Sequence, residues 1–166
     1  VVKERDAALG VIVDDMIEAG ADTIHAVHGI ADTRERDSHL LDLIALHLDQ
    51  EQLSEARRTA GFLKGASAVA LGWSRVGLWL QGESYNRQAI AAADRAQKVL
   101  EASEGASASD SAAREVAYTA LATLAAKVGQ RPRAALLLQK IKRPENAFEV
   151  RLALIDSALS DEVEIE

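Results

Sequence analysis

A short polar corner, flanked by apolar residues at helical spacing, recurs along the chain, and this repetition most constrains how the chain can fold. The clearest copy is SHLLDLIALHLDQEQLSEARRTAGFL, residues 38–63. Four copies turn at Gly20, Glu51, Gly82 and Gly129, which lie 31, 31 and 47 residues apart. A period slightly above 30 residues is typical of helical-repeat proteins, whose helix pairs bury their apolar faces only by stacking on their neighbours. The sequence therefore predicts an all-α solenoid of about four antiparallel helix pairs.

The composition supports helix along the whole chain. Alanine is the commonest residue and only two prolines occur, so helix formers prevail and helix breakers are rare. We expect a single domain across residues 1–166. The predicted repeats are residues 3–31, 33–64, 67–102 and 112–141, followed by a helix at 144–159.

Two segments fall outside the helix pairs. A Ser-rich stretch, residues 103–111, is predicted to be a flexible loop that accounts for most of the long third spacing. The last helix starts at Pro144, has no following partner helix, and is predicted to cap the open end of the stack. It carries four large apolar residues at helical spacing, Phe148, Leu152, Ile155 and Leu159.

Local signals mark individual helices. Asp32 and Glu35 have the spacing of a capping box at a helix start, and Asp49 and Gln52 have the same spacing at the second corner. The first helix of the third pair, AVALGWSRVGLWLQ, is apolar almost all the way round, with Arg75 as its only charge. Such a helix is expected to be buried on both sides, and therefore to lie in the middle of the stack.

The charge balance narrows the choice of partner. The chain has a formal net charge of -7 and a pI near 5.1. This disfavours nucleic acid, because affinity for nucleic acids rests largely on Lys and Arg that neutralise phosphates. The absence of cysteine excludes disulfides, thiolate metal sites and a cysteine nucleophile. No uncharged apolar run reaches the roughly 18 residues of a membrane span, so no membrane insertion is predicted and a protein or peptide partner is favoured.

The sequence does not indicate in which cellular compartment the protein is found. The chain starts at Val1 without an initiator methionine, which suggests that an upstream segment was cleaved or left out, an export signal being one alternative. Cytoplasmic and periplasmic locations are both compatible with the sequence.

One pair of histidines has the spacing of metal ligands. His25 and His28 lie one helical turn apart, and Asp22 precedes them by another turn. Because this spacing is common by chance, a partly exposed face or a histidine packed between helices is the favoured interpretation, and neither a metal nor a cofactor is predicted. The chain also lacks a nucleophile-elbow pattern, a phosphate-binding glycine loop and an HExxH motif. We therefore expect a protein that is not an enzyme.

Charged and aromatic clusters each have two interpretations. The acidic patch of Asp14, Asp15 and Glu18 is typical of a solvated helix face, although paired carboxylates also serve in acid-base catalysis. Trp79 is expected either to pack in the core or to anchor a partner, and Trp73 falls on another side of the same helix. A basic cluster either pairs with nearby acids or docks an acidic partner or another copy of the chain; it comprises Arg131, Arg133, Lys140, Lys142 and Arg143.

The residues around the corners resemble the tetratricopeptide repeat (TPR) family. That family has a small residue at the corner, an alanine five residues later and a small or apolar residue seven beyond that. Two units match this spacing, the second apart from its corner residue: Gly129, Ala134 and Ile141, and Glu51, Ala56 and Leu63. In the first and third units the expected alanine positions hold His25 and Arg87, with Ala26 and Ala89 nearby. Tyr118 falls where the family prefers tryptophan, and the resemblance covers Ala7 to Ile141.

The resemblance implies a superhelix whose concave groove, lined by the first helix of each pair, holds a peptide or a partner's helix. Carried over position by position, the groove would contain Asp14, Glu18, Leu41, Ala45, Val76, Trp79, Thr119, Thr123 and Lys127. TPR pockets that clamp a terminal carboxylate use Lys, Arg and Asn side chains. Only Lys127 is of that kind here, so the resemblance does not extend to that ligand.

These patterns predict a non-enzymatic scaffold or adaptor that binds a partner segment in the groove. Self-association through an open end or the apolar third unit is a further expectation. The alternative is an accessory or regulatory superhelical domain of a larger exported enzyme or envelope assembly, supported by the missing methionine and the acidic, alanine-rich surface. An enzyme that holds metal on its histidine pair ranks below both.

Overall fold

Helices make up almost all of the chain that can be described. The computed structural model describes residues 2–18, 23–103 and 111–163, without the side chains of residues 17, 18, 25 and 161–163. In these ranges the chain forms nine helices and no strand, which confirms the all-α prediction. The helices are α1 (Val2–Glu18), α2 (Ile24–Val27), α3 (Thr33–Asp49), α4 (Leu53–Ala60), α5 (Ala66–Gly82), α6 (Asn86–Ala102), α7 (Ser111–Lys127), α8 (Arg131–Leu138) and α9 (Pro144–Val163).

The nine helices pack as a solenoid. The odd-numbered helices stack in chain order, α1 on α3, α3 on α5, α5 on α7 and α7 on α9. Each even-numbered helix packs against the odd-numbered helices on either side of it. One continuous cluster of buried apolar side chains runs from Val13 to Ala153. None of the described helices has the length and hydropathy that a membrane crossing requires.

The second and fourth units share a common length. The helices α1, α3, α5 and α7 each have 17 residues, and α4 and α8 each have eight. Three residues form each of the described corners, and five-residue linkers connect α2 to α3, α4 to α5, and α8 to α9. As a result α3 and α5 begin 33 residues apart, as do α7 and α9.

The corners of the last three pairs have the same backbone geometry. The chain turns at Glu51, Ser84 and Gly129, with φ of 59°, 63° and 78°. After each of them, the next amide donates to the carbonyl five residues before it, as in a Schellman motif. These hydrogen bonds join Gln52 to His47 at 2.7 Å, Tyr85 to Leu80 at 2.8 Å and Gln130 to Ala125 at 2.8 Å. The prediction of the third corner at Gly82 is therefore wrong by two residues.

With the third corner at Ser84, the third unit has the expected alanine. Ala89 lies five residues after Ser84, as Ala56 does after Glu51 and Ala134 after Gly129, and all three alanines are fully buried. Arg87, the residue that alignment on Gly82 puts in this place, is exposed. The third unit is thus as regular at its corner as the second and fourth.

The extra length of the third unit is mostly helix. α6 has 17 residues, nine more than α4 or α8, whereas the linker to α7 has only three more residues than the others. The prediction that a loop accounts for most of the long spacing is therefore wrong. Of the predicted loop, residues 104–110 lie outside the described residues; Ser103 follows α6 and Ser111 begins α7.

Close packing on both sides of α5 confirms its predicted central position. α5 contacts α3, α4, α6 and α7. A Cβ on Gly72 would lie 2.6 Å from Leu63 Cδ1 and 3.2 Å from Ile44 Cδ1, and a Cβ on Gly77 would collide with the side chain of Leu124 on α7. Both glycines therefore allow neighbouring helices to approach more closely than any side chain would permit.

The helix-start predictions have mixed outcomes. The Asp32 side chain accepts a hydrogen bond of 2.9 Å from the Glu35 amide at the start of α3, as predicted. The capping box at the second corner is wrong, because Asp49 is still the last residue of α3. There, Gln52 instead places its side-chain oxygen 3.1 Å from His47 Nδ1.

The last helix packs through its small side chains. Ala147, Val150 and Ala153 are buried, and α9 contacts α7 and α8. The four large apolar residues of α9 lie on the outside, with Phe148 65%, Leu152 49%, Ile155 56% and Leu159 56% exposed. α9 thus covers the end of the stack, as predicted, but presents a new apolar face of its own.

Candidate partner-binding groove

The N-terminal halves of α3, α5 and α7 surround a cavity of about 480 Å³, within the usual size range of ligand pockets. We call this cavity the groove. Its lining consists of Arg34, Asp37, Ser38 and Leu41 from α3, Gly65 before α5, Ser67, Ala68 and Leu71 from α5, and Ala113 and Val116 from α7.

Equivalent residues of three successive units form the floor of the groove. Ser38, Leu71 and Val116 are each the sixth residue of their helix, and Ala68 and Ala113 are each the third. Because the first helices lie side by side in the stack, residues at the same register position come together on one surface. Val116 is 44% exposed, so an apolar side chain on the floor of the groove is open to solvent.

Two polar contacts hold α3 and α5 together beside the groove. The buried carboxylate of Asp37 accepts hydrogen bonds from the amides of Lys64, at 3.2 Å, and Gly65, at 2.6 Å. Farther along, the guanidinium of Arg75 donates to the carbonyl of Leu41 at 2.8 Å. These bonds link α3 to the start and to the middle of α5, and so set the width of the groove.

Asp37 is one of three carboxylates that make the same kind of hydrogen bond at equivalent positions, a repetition that the sequence pattern does not reveal. The fifth residue of α1, α3 and α7 is a carboxylate that accepts hydrogen bonds from the linker before the next odd-numbered helix. Asp6 accepts from the amides of Ala31 and Asp32, both at 3.1 Å. Glu115 accepts from the Arg143 amide at 2.6 Å. A charge-assisted bond to backbone amides thus fixes each of these junctions.

The electrostatics of Asp6 follow from these bonds. Burial raises the pKa of its carboxyl group, but the hydrogen bonds from the amides of Ala31 and Asp32 and the nearby Arg5 guanidinium outweigh that effect and hold the pKa below its ordinary value of 3.8. Asp6 is therefore ionised at neutral pH and serves as a structural anion.

The groove offers apolar contact rather than reactive groups. Five of its residues are apolar, namely Leu41, Ala68, Leu71, Ala113 and Val116. Asp37 bonds to linker amides, so its carboxylate is already engaged by the protein itself. Arg34 is exposed at the edge and provides a positive charge. Such a lining suits an apolar side chain whose flanking residues are polar or acidic.

The predicted groove residues fall in several places. Leu41 lines the groove. Val76 has no exposed surface and belongs to the core, so its assignment to a groove is wrong. Val76 lies six residues before Gly82, the predicted corner. Because the corner is at Ser84, the residue at this position of the unit is Leu78, which is partly exposed.

The other predicted residues whose side chains are described do not line the groove. Trp79 is partly buried and packs against the core, whereas Lys127 and Asp14 are exposed. Thr119 and Thr123 are only 5% and 6% exposed, so neither is open to a partner. Asp14 Oδ1 lies 3.0 Å from the Nδ1 atom of the buried His39. The side chain of Glu18 lies outside the described residues.

The structure also places the other motifs singled out in the sequence. Trp73 stacks with Arg95 of α6, whose Cζ lies 4.2 Å from the ring centroid. In the basic cluster, Arg133 connects α8 to α6 through Asp94, at 2.7 Å, and through Gln97. Arg133 therefore pairs with a nearby acid, which was one of the two interpretations of the basic cluster.

The histidine pair is only partly described. The His28 ring packs edge-on against Phe62, with centroids 4.7 Å apart. Asp22 and the His25 side chain lie outside the described residues, so the structure does not test a metal site there. Among the described residues, no three His, Asp or Glu side chains form a group suited to a metal ion.

Comparison with protein-family models, curated proteins and solved structures found no match for the chain. The geometry of the groove is therefore the basis on which function can be proposed.

Proposed function

We propose that this chain is a non-enzymatic, TPR-like interaction module that binds a segment of a partner protein in the groove. The observation that carries the proposal is the groove itself, an apolar recess built from the same register positions of three units. The three equivalent corners, each followed after five residues by a buried alanine, add support for the TPR-like assignment.

The lining favours a particular kind of segment. Leu71 and Val116 would contact a large apolar side chain of the partner, since burial of such a side chain supplies most of the affinity of small interfaces. Arg34 at the edge would favour an acidic residue beside that side chain. A short peptide with one apolar anchor next to Asp or Glu is the expected ligand.

Selection from a random peptide library displayed on phage, followed by binding measurements on the enriched peptides, tests this proposal. Val116→Glu places a charge on the floor of the groove at a position exposed enough to keep the fold intact. We expect it to weaken binding by about tenfold or more, because a buried unpaired charge opposes the apolar anchor. Fluorescence anisotropy with a labelled peptide measures the dissociation constant.

Leu136→Glu is the matched control, since Leu136 is a 66% exposed apolar residue on α8 that does not line the groove. It should bind peptide like the wild type. A library that yields no peptide, or peptides that bind Val116→Glu as tightly as the wild type, would rule out the groove as the binding site.

A further inference from the structure

The outer face of α9 carries an apolar stripe that differs from an ordinary helix surface. Its four residues lie at the fifth, ninth, twelfth and sixteenth positions of the helix, and each is about half exposed or more. They are Phe148, Leu152, Ile155 and Leu159. The water-facing side of a surface helix normally carries polar residues, so this stripe requires an explanation.

At several of these positions, earlier odd-numbered helices contact the next odd-numbered helix. In α3 the twelfth and sixteenth residues are Ile44 and Leu48, both buried, and the ninth is Leu41, whose carbonyl binds Arg75 of α5. In α5 the twelfth residue is Gly77, which packs against α7. The stripe on α9 therefore includes positions through which α3 and α5 contact the next odd-numbered helix.

The opposite end of the stack presents the complementary positions. Ala8, Val11 and Ile12 are the seventh, tenth and eleventh residues of α1, and all three are exposed, Val11 by 62% and Ile12 by 51%. In α5 the seventh residue is Gly72, which packs on Ile44 of α3, and the eleventh is fully buried. α1 thus has a small residue at the position of closest approach and apolar residues beside it.

We propose that the α9 stripe of one copy packs on the exposed α1 face of a second copy, continuing the stack from molecule to molecule. The contact repeats the register of the α3–α5 junction, in which Leu41 and Ile44, the ninth and twelfth residues of α3, meet Gly72, the seventh residue of α5. At the fifth position, Phe148 stands where α1, α3 and α7 have a carboxylate, so the new contact has an apolar side chain there instead of an acceptor for linker amides. Because the two surfaces differ, the contact is heterologous and forms chains or closed rings.

Two single variants and their mixture test the proposal. Leu152→Glu blocks the α9 end and Ile12→Glu blocks the α1 end, and both positions are exposed enough for the fold to tolerate the change, which circular dichroism verifies. By sedimentation velocity, the wild-type mass should rise with concentration above 17.8 kDa, whereas each variant should stay at 17.8 kDa. Mixed in equal amounts, the two variants should form a species of twice that mass, since each supplies the end that the other lacks.

Val116→Glu is the control, because it changes an exposed apolar residue in the groove and should associate like the wild type. The proposal fails if the wild type stays monomeric at all concentrations, in which case another protein or another segment covers the stripe. It also fails if Ile12→Glu associates normally while Leu152→Glu does not, since that result would mean that two α9 stripes pair with each other. Neither result bears on peptide binding in the groove, and a failure of peptide binding does not bear on the contact between the two ends.

Discussion

The linkers between α4 and α5 and between α6 and α7 are held in place by different contacts. Between α4 and α5 the linker has five residues, and Asp37 of α3 holds it by three contacts with the amides of Lys64 and Gly65. Between α6 and α7 eight residues intervene, and the fifth residue of α5 is Ala70, which has no side chain to accept such bonds. There the guanidinium of Arg114 donates to the Ser103 carbonyl at 2.9 Å.

This comparison shows which parts of a unit can vary. A carboxylate at the fifth position goes with a five-residue linker in all three described junctions that have it, and its loss goes with a longer helix and a longer linker. The α5–α7 contact itself remains tight, because Gly77 lets Leu124 approach the α5 backbone. Both junctions are closely packed, at Gly72 and at Gly77, but of the two only the first adds hydrogen bonds from linker amides to a carboxylate.

The largest effect is expected at the α5–α7 junction. Gly77→Leu inserts a side chain where Leu124 already lies, and overpacking of this kind costs about 3 kcal/mol in the free energy of unfolding. Urea denaturation followed by circular dichroism measures the loss. Gly82→Leu is the matched control, since nothing lies within 4 Å of a Cβ there, and it should change stability little. Equal stability of the two variants would show that the packing at Gly77 is not essential.

A smaller effect is expected at the hydrogen-bonded junction. Asp37→Asn keeps the shape of the side chain but removes the charge that two amides bind, and we expect a loss of about 2 kcal/mol in the free energy of unfolding. The exposed Asp42 on the same helix provides the control Asp42→Asn, which should be close to neutral. If both variants unfold at the wild-type urea concentration, the short linker alone fixes the junction.

The smallest effect is expected at Asp6, where it depends on pH. Because the folded-state pKa of Asp6 is depressed, its ionised form stabilises the fold above pH 3.8, and this contribution disappears as the pH falls through the lower folded-state pKa. Asp6→Asn should therefore be less stable than the wild type at pH 7, and the difference should narrow in acid. Urea midpoints at several pH values measure this. A difference that stays constant with pH would show that the charge of Asp6 is not involved.

Much of the architecture is predictable because it depends on local patterns. The central place of α5 follows from a helix that lacks a polar face, and the start of α3 follows from the Asp32 capping box. The buried alanines after the second and fourth corners are likewise visible in the sequence, at Ala56 and Ala134. Each of these signals is contained within a single helix or corner.

The third corner is missed because a tertiary effect overrides a local preference. Glycine adopts positive φ most easily, so Gly82 is the expected corner. That choice would put Arg87 at the buried position where Ala89 lies, and burial of an unpaired charge costs far more than the roughly 1–2 kcal/mol of a left-handed Ser84. The floor of the groove is hard to predict for a related reason. Val116 follows the lengthened α6, so the sequence spacing does not show that it is equivalent to Ser38 and Leu71.

The many neighbours of α5 have a consequence for binding at the groove. A helix fixed by α3, α4, α6 and α7 has little freedom left to lose when a peptide arrives. The entropy cost of association would then fall almost entirely on the peptide, while the receptor surface is already organised for it. Affinity would respond to constraints placed on the ligand, such as cyclisation, more than to further stabilisation of the protein.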